Sequence, residues 1–208
     1  QFYGQAEAPM CVTVLRKAEH DVNDLQRLAS CGRPAPWVEV SLRDANNQPV
    51  SDGEPGEICV RGPLVMDGYH EQPDLTEQAF AGGWLHSGDV AVRDPGGFLR
   101  IIDRTKDMIV TGGFNVYPRE IEDILTQHPA VSQAAVIGVP HPKWGEAVAA
   151  IIVLRDGMHV DAQTLTALVA ERKGAYQAPK TVEFVDAIPQ TSVGKPDKKA
   201  LRARYPGN

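Results

Sequence analysis

The sequence contains few cysteines and lacks a long apolar run. Its 208 residues include three cysteines, Cys11, Cys31 and Cys59, and no pair has the C-x-x-C spacing of zinc or redox sites. An odd number of widely spaced cysteines argues against a disulfide framework and favours a reducing compartment, the cytoplasm. No uninterrupted apolar stretch approaches the ~20 residues that cross a bilayer, so we expect no transmembrane segment.

The chain also lacks a concentrated basic charge. Acidic residues outnumber basic ones, 27 to 21, and the formal net charge of -6 is spread over both halves. This distribution argues against a nucleic acid or an anionic membrane as a partner, while a nucleotide remains possible. The first residues have neither the basic nor the apolar region of a signal peptide, and the missing Met suggests that the chain begins within a longer protein.

The first half alternates short β-type runs with turns. The runs cover residues 37–42, 56–61, 90–93 and 98–103. Asp-Pro-Gly-Gly at 94–97 is typical of a hairpin loop, because glycine supplies the positive φ that tight loops need. This half is therefore predicted to be a small, barrel-like β subdomain.

The second half mixes helical periodicity with further β-type runs. Pro118 begins a stretch with apolar residues on one stripe, and Asp161 precedes a second such stretch, which predicts two helices. The β-type runs are 131–139, 147–154 and 181–185, and a short final helix is predicted to start near 196–197. The predicted fold class is α+β, with the β subdomain at 1–103 and a compact domain with a central sheet and flanking helices at 104–208.

Six segments carry recognisable motifs in a fixed order. They are 3–7 (Tyr-Gly-Gln-Ala-Glu), 56–58 with 68–69 (Gly-Glu-Ile, Gly-Tyr), 84–89 (Trp-Leu-His-Ser-Gly-Asp), 103–107 (Asp-Arg-Thr-Lys-Asp), 112–122 (Gly-Gly-Phe-Asn-Val-Tyr-Pro-Arg-Glu-Ile-Glu) and 189–202, the segment that contains Lys195. Together they resemble the acyl-CoA synthetase branch of the adenylate-forming, AMP-binding enzymes. Any one segment alone is weak, and six in order make chance a poor explanation.

The resemblance implies how the chain is organised. Residues 1–103 would be the C-terminal part of the large AMP-binding domain, and residues 104–208 would be the mobile C-terminal domain, with a hinge near 104–107. Enzymes of this family carry a phosphate loop and an acyl pocket upstream of the first motif. We therefore expect a C-terminal fragment that folds but does not activate an acid by itself.

The first motif is implied to bind ATP or AMP and a metal. Tyr3, with Gly4 and Gln5, would lie against the adenine, on which a phenol ring can stack. Glu7 would be a Mg²⁺ ligand near the triphosphate. Ala6 stands where the family usually has Thr, so a hydroxyl donor to the α-phosphate is missing. Without the resemblance, the same residues would be explained by a turn at the end of a strand.

Two further residues are implied to hold the ribose. Asp89 could accept both ribose hydroxyls, since an ionised carboxylate has two acceptor oxygens and no donor. Arg104 would bind the same ribose. The ordinary alternatives are a turn aspartate and a solvated surface arginine. The six histidines show no metal-ligand spacing, and His86 is of interest only because it lies beside Asp89.

The resemblance also assigns a hinge and a coenzyme A (CoA) site. Lys106 matches the hinge position, in a polar segment where few buried contacts would oppose rotation. Gly112 and Gly113, followed by Phe114, would line the channel for the pantetheine arm of CoA, because a glycine backbone can approach a ligand closely. The alternatives are a plain linker and a simple turn.

A glycine-containing loop presents Lys195. A small loop with one ammonium suits contact with a phosphate whose negative charge grows during reaction, and the resemblance implies that Lys195 is catalytic. Its ordinary alternative is a solvated lysine in a basic tail, because basic residues follow at 198, 199, 202 and 204.

The implied reaction has two steps. A carboxylic acid, of the fatty-acid class, attacks the α-phosphate of ATP to give acyl-AMP and pyrophosphate, and the CoA thiol then displaces AMP. Two alternatives stay open. The chain could belong to an acyl-AMP ligase that never uses CoA. It could also be a non-catalytic nucleotide- or CoA-binding module, or a regulatory target in which a lysine acetyltransferase removes the charge of Lys195.

Overall fold

The computed structural model describes residues 1–192 and 194–205 and divides the chain into two compact units, Gln1–Thr105 and Lys106–Asn208. Each unit has its own apolar core. Helices and sheets are both present, so the predicted α+β class is confirmed. Among the described residues, no helix has the length and apolar character needed to span a membrane.

Strands make up most of the first unit. Its strands are β1 (Phe2–Gln5), β2 (Ala8–Val14), β3 (Arg33–Pro34), β4 (Glu39–Arg43), β5 (Pro55–Arg61), β6 (Leu85–Arg93) and β7 (Leu99–Arg104), and its helices are α1 (Leu25–Leu28) and α2 (Pro73–Ala79). The strands form two antiparallel sheets, ordered β1-β2-β3 and β4-β5-β6-β7. In the described residues, the half predicted to be barrel-like therefore consists of two sheets rather than one closed ring.

The hairpin between β6 and β7 forms as predicted. Gly97 has φ +80°, and the carboxylate of Asp94 accepts a hydrogen bond from the Phe98 amide at 2.9 Å. This local bonding and the glycine conformation are the features that the sequence suggested. The prediction missed most of β6, which begins at Leu85 and not at residue 90, because Ser87 and Gly88 have the composition of a turn.

The second unit is a five-stranded sheet with helices. Its elements are β8 (Ile109–Thr111), β9 (Phe114–Val116), α3 (Pro118–Thr126), β10 (Val131–His141), β11 (Gly145–Leu154), α4 (Ala162–Lys173), β12 (Thr181–Phe184) and α5 (Lys198–Arg202). The sheet order is β10-β11-β8-β9, and β12 pairs in parallel with β11. Pro118 begins α3, and the carboxylate of Asp161 caps α4 by accepting from the Thr164 amide at 2.7 Å, as predicted.

Both faces of β11 are buried. Val148, Ala150 and Ile152 pack in the core that contains residues of α3 and α4. Ala149 and Ile151 lie in the other cluster, with Leu201 of α5. Successive side chains of a strand point to opposite faces, so one strand serves both cores. This explains the almost continuous apolar run at 147–154.

Candidate functional site

Three residues named from the sequence meet in the first unit. The hydroxyl of Tyr3, on β1, donates to Asp89 Oδ2 at 2.7 Å. The guanidinium of Arg104 lies against the other oxygen, with Nε 3.0 Å from Oδ1. Asp89 and Arg104 are cross-strand partners on β6 and β7, which explains why they meet although fifteen positions separate them. Both oxygens of one carboxylate are thus engaged by two different donors.

The Asp89 carboxylate lies in a buried environment that favours its hydrogen bonds. Asp89 is 7% exposed, so its charge is largely removed from water and needs partners. Burial, and then the charge of Asp89, raises the pKa of the Tyr3 phenol above its usual value. The phenol therefore remains a protonated donor at neutral pH, and a planar ring lies beside a buried anion that can accept hydroxyl donors.

An irregularity in strand pairing presents Asp89. Between the pairs Glu57 with Val90 and Cys59 with His86, one residue of β5, Ile58, faces the three residues 87–89 of β6. Such a bulge re-aims a side chain out of the regular ladder. Gly88 within it has φ +73°, a conformation that favours glycine. The Ser87-Gly88-Asp89 motif is therefore the bulge itself.

A side-chain network underlies the bulge. The carboxylate of Glu57 accepts from the Gly88 amide at 2.8 Å and lies 2.7 Å from His86 Nδ1. His86 Nε2 lies 3.1 Å from the carbonyl oxygen of Ala81. Sequence reasoning matched the Gly-Glu-Ile motif and noticed His86, but it gave Glu57 no role. An acid and a histidine that are remote in sequence become neighbours only once the strand pairing is known.

The same network contains a set of donor atoms that could hold a metal. The ligand atoms of Glu57, Cys59 and His86 all lie within 4.8 Å of one another. Burial, and then the charge of Glu57, raises the pKa of Cys59 to about 12, so its thiol is protonated at neutral pH. Glu57 and His86 already satisfy each other, and the thiol lies 3.5 Å from His86 Nδ1. Both oxygens of Glu57 are thus engaged, by Gly88 and by His86, so hydrogen bonding accounts for the arrangement.

Glu7 lies in the tight turn between β1 and β2. Its Oε1 accepts from the Tyr69 hydroxyl at 2.8 Å, and this bond raises the pKa of Tyr69. Within residues 1–192 and 194–205, the side-chain hydrogen bonds of Glu7 involve Oε1, which leaves Oε2 for a ligand. A half-buried carboxylate held by one donor fits the oxygen chemistry that Mg²⁺ requires.

The rest of the first motif shapes the hairpin. Gly4 is required because a Cβ there would lie 2.6 Å from the Met10 backbone nitrogen. Gln5 pairs with Ala8 across the turn, and Ala6 is exposed within it. The motif is therefore a close-packed turn that carries Tyr3 at one end and Glu7 at the other.

In the second unit, Gly112 and Gly113 form a two-residue hairpin between β8 and β9. Both have positive φ, +56° and +85°, as a type I′ turn requires. The Gly112 amide donates to the Trp144 carbonyl at 3.0 Å, which holds the turn against the loop before β11. Phe114 follows the turn and is 58% exposed.

A cavity of about 270 Å³ opens beside this hairpin. It is lined by Thr111, Gly112, Phe114, Trp144, Tyr176 and Lys180. The rings of Phe114 and Tyr176 have centroids 5.0 Å apart, and the Lys180 ammonium lies 5.5 Å from the Trp144 ring centre. Aromatic walls, a glycine backbone and one ammonium suit a slender, partly apolar ligand that carries negative charge.

Four of these lining residues were missed by sequence reasoning: Thr111, Trp144, Tyr176 and Lys180. Trp144 sits in the loop between β10 and β11, and Tyr176 and Lys180 lie between α4 and β12. Trp144 could have been selected from the sequence, because it lies in a short loop between two apolar runs and belongs to the alternating pattern of neither strand. Their convergence on Gly112 depends on sheet order, which the local sequence does not specify.

Lys106 and Lys195 are both exposed. Lys106 is the first residue of the second unit, in the short turn Thr105–Asp107. In the loop before α5, the Thr191 amide donates to the Lys195 carbonyl at 2.7 Å, and the Lys195 amide donates to Thr191 Oγ1 at 3.3 Å. Gly194 of this loop has φ +77°, while Val193 lies outside the described residues.

Two of the neighbouring cations differ from Lys195 because they have carboxylate partners. Lys198 lies 2.8 Å from the carboxylate of Glu122, and Arg202 lies 2.9 Å from that of Asp107. Within the part of the chain that the structure describes, the ammonium of Lys195 has no ion-pair partner. The basic segment thus contains two paired cations, which anchor α5, and several exposed ones, of which Lys195 lies on a hydrogen-bonded loop.

One unit thus contains a buried acid held by a phenol and a guanidinium, and the other contains an exposed lysine loop and a glycine-lined cavity. Comparison with family models matches residues 1–70 to AMP-binding enzymes and residues 120–195 to the AMP-binding enzyme C-terminal domain. The chain belongs to the AMP-binding, adenylate-forming enzyme family.

Individual relatives are similar over nearly the whole chain. The chain is 54% identical to a medium/long-chain-fatty-acid–CoA ligase of Mycobacterium tuberculosis, covering 99% of this chain and 37% of the relative. It is 44% identical to a long-chain-fatty-acid–CoA ligase of Escherichia coli O157:H7, covering 96% and 35%. An amide bond synthetase from Marinactinospora thermotolerans has a similar structure, with a TM-score of 0.87, 43% identity and coverage of 99% and 42%. The chain thus spans less than half the length of each of these proteins.

Proposed function

We propose that the chain is part of an AMP-forming acyl-CoA synthetase, an acid–thiol ligase whose substrates are a fatty acid, ATP and CoA. Family membership and the ligase names of the two sequence relatives support the reaction class. The observation that carries the choice of CoA is the aromatic cavity beside Gly112 and Gly113, with one ammonium at Lys180. Its chemistry suits a pantetheine arm that ends in phosphates.

In the first step, the first unit would hold the nucleotide. Tyr3 would lie against the adenine, with Gly4 and Gln5 forming the hairpin that supports it. Asp89 would accept the ribose hydroxyls, and Arg104 would hold the same ribose. The supporting geometry is the shared hydrogen bonding around Asp89, which fixes the carboxylate before a ligand arrives.

Charge stabilisation in this step is proposed for Lys195. As the substrate carboxylate attacks the α-phosphate, negative charge gathers on the phosphate oxygens, and an ammonium in contact with them lowers the barrier. Glu7 would hold Mg²⁺, which supplies charge neutralisation to the phosphates when bound. Ala6 contributes no hydroxyl at this position, so the α-phosphate would depend more heavily on Lys195.

In the second step, the second unit is proposed to move. Rotation about Lys106 would withdraw Lys195 and bring Gly112, Gly113 and Phe114 to the acyl-adenylate. The position of Lys106 as the first residue of its unit supports a hinge there. One small unit would then serve two half-reactions with two different loops.

Replacing Lys180 by alanine in the intact enzyme tests the CoA assignment. We expect the KM for CoA to rise about tenfold, or about 1.4 kcal/mol, because a cation that faces the charged end of the ligand is lost. Acyl-AMP formation, followed by ATP–pyrophosphate exchange, should stay within about twofold, since this step does not involve the cavity.

Lys143→Ala is a matched control. The Lys143 ammonium also lies near the Trp144 ring, 5.9 Å from its centre, but Lys143 does not line the cavity. It should leave the KM for CoA nearly unchanged. Equal effects of the two substitutions, or no effect of Lys180→Ala, would contradict a CoA site here.

A second candidate is an acyl-AMP enzyme that transfers its acyl group to another acceptor. The structural neighbour described as an amide bond synthetase favours this alternative, because it is 43% identical over 99% of the chain. Supplying acyl-AMP with CoA or with an amine in parallel, and identifying the product, separates the two. Thioester formation supports the synthetase, and exclusive amide formation supports the alternative.

Two finer points complete the proposal. The three cysteines are free thiols, which suits a reducing cytoplasm as the location. The exposure of Lys195 would allow a lysine acetyltransferase to reach it, and acetylation would remove the charge that adenylation requires. Mass spectrometry of the protein from its cells tests for that modification.

A further inference from the structure

We propose that Glu57 is a positioning residue for nucleotide binding, which holds the bulge that presents Asp89, with His86 as the partner that orients Glu57. This inference rests on the proposed function, because it takes Asp89 as the ribose acceptor. Glu57 itself lies behind the bulge, on the neighbouring strand β5, and acts through the backbone of Gly88.

The bulge creates a backbone donor that the sheet does not satisfy. Three residues of β6, 87–89, face the single residue Ile58, so the amide of Gly88 leaves the regular ladder between the strands. An unsatisfied amide at a half-buried position is costly, and a chain without a partner for it would favour regular pairing. Regular pairing would turn Asp89 away from its present partners.

Glu57 supplies that partner with one oxygen. Its Oε1 accepts from the Gly88 amide at 2.8 Å, and its Oε2 lies 2.7 Å from His86 Nδ1. The Glu57 carboxylate thus connects His86, which precedes the bulge, with Gly88, which lies in the middle of the bulge. Asp89 is the next residue, where the Ser87 hydroxyl accepts from the Asp89 amide at 3.1 Å.

His86 fixes the direction of the carboxylate. Its two ring nitrogens face acceptors on opposite sides, Glu57 Oε2 and the Ala81 carbonyl oxygen at 3.1 Å, and a neutral imidazole donates to one of them at a time. The imidazole is therefore held between the strand and the segment that follows α2. The Glu57 and His86 side chains are both about 80% buried, which limits competition from water for these bonds.

The inference is tested with Glu57→Ala and Glu57→Gln in the intact enzyme. Alanine removes both bonds, and we expect the KM for ATP to rise about tenfold, with faster amide hydrogen exchange in the peptide that contains Gly88. Glutamine can accept from Gly88 through its oxygen. Its nitrogen can donate to His86 Nδ1 when the imidazole carries its proton on Nε2, which faces the Ala81 carbonyl, so glutamine should restore both readouts to within about threefold of the native values.

Glu54→Ala is the matched control, since it removes an exposed acid three residues away that caps the Ser51 amide. It should change neither readout. If Glu57→Ala does not fold, His86→Ala tests the orienting part of the proposal, because it removes the partner of Glu57 Oε2 and leaves the Gly88 bond in place. That variant should raise the KM for ATP about threefold, as a partial loss of orientation predicts.

The outcomes separate this inference from the proposed function. Slow exchange at Gly88 in Glu57→Ala, an unchanged KM for ATP, or a glutamine variant as impaired as alanine would each overturn the positioning role. Failure of the unsubstituted enzyme to form acyl-AMP would instead overturn the proposed function. The hydrogen-exchange result needs no nucleotide and is independent of that failure.

Discussion

Lys195→Ala in the intact enzyme should slow acyl-AMP formation by about 10³-fold, as expected for loss of a cation that stabilises charge on a transferring phosphoryl group. Thioester formation from supplied acyl-AMP and CoA should remain within about threefold, because Lys195 is proposed to act only in the first step. Single-turnover measurements of the two half-reactions give both rates. The split between half-reactions is what distinguishes a catalytic role from a general loss of structure.

Two further variants sharpen this prediction. Lys199→Ala removes another exposed ammonium, four residues away in α5, and should leave both half-reactions unchanged. Lys195→Arg keeps the charge but changes its shape and reach, so it should recover only part of the adenylation rate. Retained adenylation in Lys195→Ala would remove the basis for the catalytic assignment.

Asp89→Asn should raise the KM for ATP by about 100-fold, because two hydrogen bonds from ribose hydroxyls to a charged acceptor would be weakened together. The side-chain volume is nearly unchanged, so the fold should persist. However, the amide has an NH2 group in place of one carboxylate oxygen. This group would face either Tyr3 or Arg104, which are both donors, so one of these two hydrogen bonds would be lost. Steady-state kinetics with varied ATP measure the effect, and the thermal midpoint shows whether stability has changed.

Asp52→Asn provides the comparison for this substitution. Asp52 lies 3.8 Å from Arg93, and its side chain is 57% exposed, so its loss should be nearly neutral. An ATP KM that is the same in Asp89→Asn and in the native enzyme would show that the ribose is bound elsewhere.

Elements with strong local signals could be predicted from the sequence. The helix after Pro118, the cap at Asp161 and the hairpin at 94–97 each depend on residues within a few positions, and all three are present. The pairing of β1 with β2 and the start of β6 were missed. Both depend on glycines that resemble turn residues. Gly4 allows a close approach of two strands, and Gly88 adopts the positive φ of the bulge, and neither feature is visible before the strands are paired.

The candidate site was predictable where motifs name single residues. Tyr3, Asp89 and Arg104 were selected by resemblance, and the structure brings them together without testing their roles. Glu57, Trp144 and Lys180 were not selected, because their importance arises from neighbours that are distant in sequence. Strand register creates these neighbours, and local composition does not determine strand register.

The two-sided burial of β11 has a consequence for the cavity at its start. A shift of β11 by one residue would move every side chain of the strand into the opposite core layer. The packing on both faces of the sheet therefore opposes such a shift. Trp144 immediately precedes this strand and holds Gly112 through its carbonyl oxygen. The packing of β11 in the two cores therefore fixes the dimensions of the cavity beside Gly112. Insertions in β11 should weaken ligand binding there even where every lining side chain is retained.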